Sequence, residues 1–149
     1  MKDNFLIRKA DQKDLEEFKR LVRVETGLPS NPFMLDCLTN YPAVAAEDRE
    51  GNIIGLVYTS RYTKDILGMA QILVIPEYRN LGIGEQMIEL LESLVEAPFE
   101  AMIVSNTDLY PSLSEEKRPA TSFYLNNGYQ LVASTNNTRV FFKDLRSDK

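Results

Sequence analysis

One run constrains this chain more than any other, Ile72-Leu-Val-Ile-Pro-Glu-Tyr-Arg-Asn-Leu-Gly-Ile-Gly-Glu-Gln-Met-Ile-Glu-Leu-Leu91. It opens as an apolar strand, stops at Pro76, turns through a basic segment with two glycines, and continues as a helix. Ile83, Met87, Leu90, Leu91, Leu94 and Val95 recur at helical spacing, which predicts a helix from Gly82 to Glu96 closed by Pro98. A strand that hands over to a helix in this way builds a crossover unit, and such units need a sheet with helices packed on it. The handover also leaves the first amides of the helix without internal partners and with partial positive charge. Gly82 and Gly84 let an anion approach the backbone, and Arg79 adds a formal positive charge beside them. The turn is a candidate phosphate site.

Two common phosphate-binding patterns do not fit it. A dinucleotide fingerprint needs a third glycine where Met87 stands. A Walker A loop needs a four-residue gap between its glycines and then a lysine, and both are missing.

The remaining chain reads as elements that surround this unit. Phe5–Arg8 is a first strand, and Asp11 caps a helix over Gln12–Glu25 that ends at Gly27. Phe33–Leu38 is a second short helix, with Cys37 as a small core residue. Ala43–Ala46 and Ile53–Thr59 are strands joined by a polar hairpin turn at Glu47–Asn52. After the polar Arg61–Asp65, the run Met69–Ile75 is apolar except for Gln71, which predicts a strand covered on both faces. Ala101–Val104 is a further strand, followed by Ser105-Asn106. The stretch 107–119 is polar, carries two prolines and reads as a long loop. Ala120–Asn127 is a short helix closed by Gly128, and Tyr129–Ala133 and Thr138–Phe142 are the last strands. The order is β-α-α-β-β-β-α-β-α-β-β, which predicts a mixed sheet with helices on both faces.

Composition excludes several chemistries. The 149 residues suit one domain spanning 1–149. A net charge of −5 argues against a general nucleic-acid binder. With no histidine and one cysteine, Ser-His-Asp and Cys-His catalysis, histidine or cysteine metal sites and an internal disulfide are all ruled out. No stretch is apolar enough for a signal peptide or a membrane span, so the expectation is a cytoplasmic protein without membrane contact.

Two motifs in this order resemble those of the GNAT superfamily of acyl-CoA N-acyltransferases. The first is Val74-Ile75-Pro76-Glu77-Tyr78-Arg79-Asn80-Leu81-Gly82-Ile83-Gly84, which fits the family's (Gln/Arg)-x-x-Gly-x-(Gly/Ala) signature between a strand ending in Val-x-Pro and a helix. The second is Phe123-Tyr124-Leu125-Asn126-Asn127-Gly128-Tyr129, which fits its aromatic-tyrosine helix closing on Gly-Tyr. With the element order, the resemblance covers residues 5–143. It implies a GNAT-type three-layer α/β/α fold with a mixed, centrally splayed sheet. It also implies acetyl transfer from acetyl-CoA to a primary amine, on a small molecule or a peptide, by direct attack in a ternary complex and without a metal. Homodimers occur in the family, so a homodimer is an assembly the resemblance allows.

By the same resemblance, the strand before the signature bulges and splays from the next strand, and the acyl-CoA lies in the V between Met69–Ile75 and Ala101–Ser105. Backbone groups around Leu73 and Val74 would pair with the pantetheine arm and polarise the thioester. The amides of Arg79, Asn80, Leu81, Gly82, Ile83 and Gly84 would hold the pyrophosphate. Tyr124 matches the family's proton donor to the leaving thiolate. A phenol near 10 facing a thiol near 8.5 is chemically suited to that exchange. The general base stays open among Glu47, Asp48, Asp108, and Gln71 acting through a water. Three features depart from the family pattern. Asn80 stands where glycine or a basic residue is usual, Glu85 stands where a small hydroxyl or basic residue is usual, and 107–119 is inserted between Asn106 and the tyrosine helix. The alternative function is a module that binds acyl-CoA without transferring the acyl group.

Overall fold

A computed structural model describes residues 4–107 and 120–146. Its elements follow the expected order: β1 (Leu6–Lys9), α1 (Leu15–Thr26), α2 (Met34–Asn40), β2 (Ala43–Glu47), β3 (Ile53–Thr63), β4 (Ile66–Val74), α3 (Ile83–Ser93), β5 (Ala101–Thr107), α4 (Ala120–Asn126), β6 (Gln130–Ser134) and β7 (Thr138–Asp144). The seven strands form one sheet in the order β1-β2-β3-β4-β5-β7-β6. Among the described residues the one parallel pair is β4 with β5, joined by the α3 crossover; β1 and β2, joined through α1 and α2, pair antiparallel.

The two faces carry separate cores. Ile83, Met87, Ile88 and Leu91 of α3 pack with Tyr124 of α4 and with Val57, Leu67, Met102 and Phe141 from the sheet. On the other face Phe18, Leu21 and Val22 of α1 and Met34, Cys37 and Leu38 of α2 pack on Leu56 and Tyr58. The result is three layers, α3/α4, sheet and α1/α2, and Cys37 is the core thiol expected from the sequence.

The first helix begins differently from the sequence reading. Asp11 and Asp14 form a reciprocal capping box, but the turn they cap, Gln12–Asp14, is 3-10, and the α-helix starts at Leu15. Arg8 ties β1 to that turn and to β2 by bonding Asp14 at 2.9 Å and Glu47 at 2.6 Å. Burial alone would raise the Asp14 carboxyl, but the Arg8 and Asp11 hydrogen bonds outweigh it and hold it below its usual value.

Two boundaries move for physical reasons. β3 and β4 are longer than expected, to Thr63 and from Ile66, and are joined by a tight hairpin at Lys64-Asp65. The polar residues Arg61 to Thr63 sit on an exposed ribbon, where polarity does not interrupt pairing. α3 ends at Ser93, well short of Pro98. Ser93 Oγ donates to Leu90 O at 2.6 Å and Leu94 N bonds Leu91 O at 3.1 Å, so the last turn tightens before the proline is reached.

Candidate active site

The site begins where β4 leaves β5. The two strands pair only at Ile66–Ala101, Leu67–Met102 and Gly68–Ile103. Beyond Gly68 each follows its outer neighbour. β5 stays registered with β7 through Thr107–Thr138, and β4 stays with β3 through Val74–Gly55. β4 also carries a bulge: Met69 lies opposite Thr59 and Gln71 opposite Tyr58, which leaves Ala70 as the extra residue. A bulge bends its strand and increases the local twist, and here it falls where the strands part. From Met69 to Val74, β4 has no strand on its β5 side, so backbone groups along that edge are open to an extended ligand. This also corrects the expectation of a strand buried on both faces. Gln71 to Val74 are only half-buried, and Ala70 is exposed, because the strand forms one wall of an opening.

At the far end of that wall the chain turns into α3. A 3-10 turn at Pro76–Tyr78 is followed by Asn80 at φ 65° and Gly82 at φ 83°. Asparagine is among the few residues that accept this left-handed region, so Asn80 supplies the geometry that a glycine would otherwise supply. Gly82 is the N-cap of α3, with no side chain capping it, and the first helical bond is Gln86 N to Gly82 O at 3.1 Å. The amides of Ile83, Gly84 and Glu85 therefore start the helix without i−4 acceptors. Arg79 Nε donates to Val74 O at 2.9 Å, which fastens the turn to the end of β4.

A cleft of about 280 Å³ lies over these amides. Of the residues expected to hold a pyrophosphate, Arg79, Asn80, Gly82, Ile83 and Gly84 line it, and Val74 from the strand joins them. Leu81 does not line it and is 38% exposed, while Leu73 turns its side chain to the α1/α2 core. The sequence reading missed the opposite wall, which α4 supplies through Phe123, Asn126 and Asn127. Their signal was present in the second motif, where attention fell on Tyr124 alone. Glu85 lines the cleft too, so an anion bound there meets one carboxylate among the helix-start amides.

Gly84 fixes how closely the two walls meet. A Cβ on it would stand 3.0 and 3.2 Å from Cε1 and Cζ of the Phe123 ring. Gly84→Ala is expected to push that ring aside, to cost about 1 kcal/mol of stability and to weaken anion binding in the cleft by roughly tenfold. The double variant with Phe123→Leu is expected to recover most of the binding. Thermal unfolding and ligand titration of the three proteins check this, and an undiminished single variant would refute it.

Tyr124 sits on α4, which ends in a Schellman motif: Gly128 N bonds Leu125 O at 3.1 Å and Tyr129 N bonds Tyr124 O at 3.0 Å. Its ring lies 4.8 Å from that of Phe141 and 6.0 Å from that of Tyr129, on the α3/α4 face of the sheet. Burial pushes its phenol up to about 12, and its hydroxyl makes no hydrogen bond among the described residues.

Two of the candidate bases have structural work instead. Glu47 is held by Arg8 on the outer side of the sheet, with β3 between its strand and β4. Asp48 accepts the amides of Glu50 and Asn52 at 2.9 Å and orders the β2–β3 turn; the Asn52 amide above all holds its carboxyl below the usual value. Asp108 lies outside the described residues. Gln71 is the candidate that stands at the parting of the strands. Its Oε1 accepts the Tyr58 hydroxyl at 2.8 Å, on the α1/α2 side.

The model of the acetyltransferase (GNAT) domain family matches residues 40–131. No curated protein matches the chain. Among solved structures, an aminoglycoside 6'-N-acetyltransferase complexed with coenzyme A superposes with a TM-score of 0.77 at 16% identity, covering 97% of this chain and 99% of that one. The ribosomal-protein-S18-alanine N-acetyltransferase of Escherichia coli gives 0.74 at 13% identity, covering 97% and 96%. Arabidopsis thaliana NAA60 in complex with acetyl-CoA gives 0.73 at 14% identity, covering 95% and 99%. At these identities the likeness is one of fold.

Proposed function

Because the chain belongs to the GNAT acetyltransferase family, we propose that it transfers an acetyl group from acetyl-CoA to a primary amine by direct attack in a ternary complex. The observation that carries this is the continuity of the open β4 edge with the uncapped start of α3. From the bulge at Ala70 to Val74 the open edge runs roughly 13 Å at ~3.3 Å per residue, a length along which an extended pantetheine arm can pair. The helix-start amides at its end suit a pyrophosphate.

In this reading Leu73 and Val74 pair their backbones with the arm, while Arg79 braces the turn. The backbone of Arg79 through Gly84 holds the pyrophosphate. The thioester reaches back toward the bulge, and open amides there polarise its carbonyl. The amine nitrogen forms the new C–N bond, the C–S bond breaks with its electron pair on sulfur, and the amine proton leaves to water. Tyr124 donates to the sulfur as charge develops on it.

Calorimetric titration with acetyl-CoA, NAD and ATP tests the ligand, and thiol release with a panel of primary amines tests the reaction. Binding of acetyl-CoA alone, with release driven by at least one amine, is the expected result. Binding without release across the panel would instead support the acyl-CoA-binding module. One observation favours that second reading, namely that Glu47 and Asp48 are both committed elsewhere. Binding of NAD or ATP in preference to acetyl-CoA would remove both.

A further inference from the structure

The opening between β4 and β5 has two sides. The cleft and Tyr124 belong to the α3/α4 side, so the acetyl donor occupies that side in the reading above. An amine reaching the thioester carbon has the α1/α2 side left to approach from. There the bulged strand presents Gln71, the first residue past the bulge, half-buried and directly opposite Tyr58.

One hydrogen bond fixes the orientation of the Gln71 amide. The Tyr58 hydroxyl donates to Gln71 Oε1 at 2.8 Å. Gln71 Nε2 is left as the outward end, and it makes no hydrogen bond among the described residues. Two unused N–H donors on a half-buried strand residue therefore stand where β4 and β5 part, on the α1/α2 side. Donors of this kind cannot take the amine proton, so Gln71 is not a base. They suit an oxygen acceptor held close to the amine.

We infer that the Tyr58–Gln71 pair selects acceptors whose amine sits beside a carbonyl, as in a peptide N-terminus or an amino-acid amide, over simple alkylamines. The inference rests on the acetyltransferase reading. Gln71 meets the substrate carbonyl, and Tyr58 is a positioning residue that keeps its amide in one orientation. The α1–α2 connection on this side of the sheet carries Phe33, 70% exposed, an apolar surface for the residue that follows the amine.

The test compares kcat/KM for alaninamide and n-butylamine in the wild type, Gln71→Glu and Tyr58→Phe. The readout is the ratio of the two values, which cancels the intrinsic basicity of each amine when variants are compared. Gln71→Glu still accepts the Tyr58 hydroxyl but presents oxygen instead of N–H to the acceptor. It is expected to lower the alaninamide/butylamine ratio by at least about tenfold, with acetyl-CoA affinity unchanged. Tyr58→Phe frees the Gln71 amide to rotate and is expected to lower the ratio by about threefold, mainly through KM for alaninamide. Adding Tyr58→Phe to Gln71→Glu is expected to change the ratio no further. A ratio unchanged in both variants, or turnover of n-butylamine without turnover of alaninamide by the wild type, overturns the inference alone. A wild type that does not bind acetyl-CoA, or that binds it and turns over no amine, overturns the reading beneath it and the inference with it.

Discussion

Replacing Tyr124 with phenylalanine is expected to lower kcat by about a hundredfold while changing acetyl-CoA affinity by less than about twofold. The ring is packed between Phe141 and Tyr129, so phenylalanine keeps the core contacts and removes only the hydroxyl. Burial at about 12 shapes what that hydroxyl does. A thiol near 8.5 is a much stronger acid, so complete transfer of the phenol proton to a thiolate is uphill by roughly 5 kcal/mol. In the proposed mechanism Tyr124 is therefore a donor whose hydrogen bond strengthens as the sulfur gains charge, which places the expected effect toward the low end of general-acid catalysis. The pH dependence follows from the direction of the shift. The neutral phenol is the active form, present below its folded value and lost as pH rises through it. The gap between wild type and variant should hold from about pH 7 to 10 and narrow only toward about pH 12. An unshifted phenol would begin to close it near pH 9. Steady-state thiol release across that range is the measurement. Equal kcat in the two proteins at every pH removes the tyrosine from the mechanism.

What was legible in the sequence was whatever local chemistry decides. The apolar stripe of α3 as far as Leu91, the helix-ending glycines Gly27 and Gly128, and the strand-turn-helix at Val74–Gly84 depend on spacing and side-chain type within a few residues, and they stand where they were expected; Leu94 and Val95 fall past the helix end. The resemblance supplied the splay, and the register of β4 with β3 shows its local cause in the extra residue Ala70. The misses are tertiary. Phe123 and the asparagines of α4 lie far along the chain from the phosphate turn and become its opposite wall only when α4 packs beside α3. Glu47 looked available at a strand end, but Arg8 on β1 claims it from many residues away. Asn80 looked like a departure from its relatives because the sequence shows its side chain, whereas the position asks only for a left-handed backbone. Tyr58 and Gln71 carry no pattern in one dimension. They meet because the β3–β4 register, shifted by the bulge, brings positions 58 and 71 opposite each other.

Glu92→Ala is expected to destabilise the protein by about 2 kcal/mol, a fall in Tm of roughly 4–8 °C for a chain of this size. Glu92 bonds the Lys143 ammonium at 2.8 Å and accepts the Tyr129 hydroxyl at 3.0 Å, and Lys143 also donates to Asn127 O at 2.9 Å. Burial, reinforced by the facing Glu92 carboxylate, raises the Tyr129 phenol well above its usual value, so it stays a donor to that carboxylate. With side chains 17% and 26% exposed, Glu92 and Lys143 are screened in part, which keeps the cost below that of a fully buried pair. Truncation leaves an ammonium and a hydroxyl without their shared acceptor, and this stranding, rather than the worth of the pair, dominates the loss. The double variant Glu92→Leu with Lys143→Met removes both charges and fills the space with apolar atoms. It should recover at least half of the lost stability, although Tyr129 still lacks its partner. The cluster joins α3 to β7 and to the end of α4, and α4 carries both Tyr124 and the Phe123 wall of the cleft. Glu92→Ala should therefore lower kcat and acetyl-CoA affinity together, unlike Tyr124→Phe, which lowers kcat alone. Denaturant midpoints and steady-state kinetics of the wild type, the single variant and the double variant measure both effects. A double variant less stable than the single one would show that the ion pair itself, not the stranded charge, holds α4 in place.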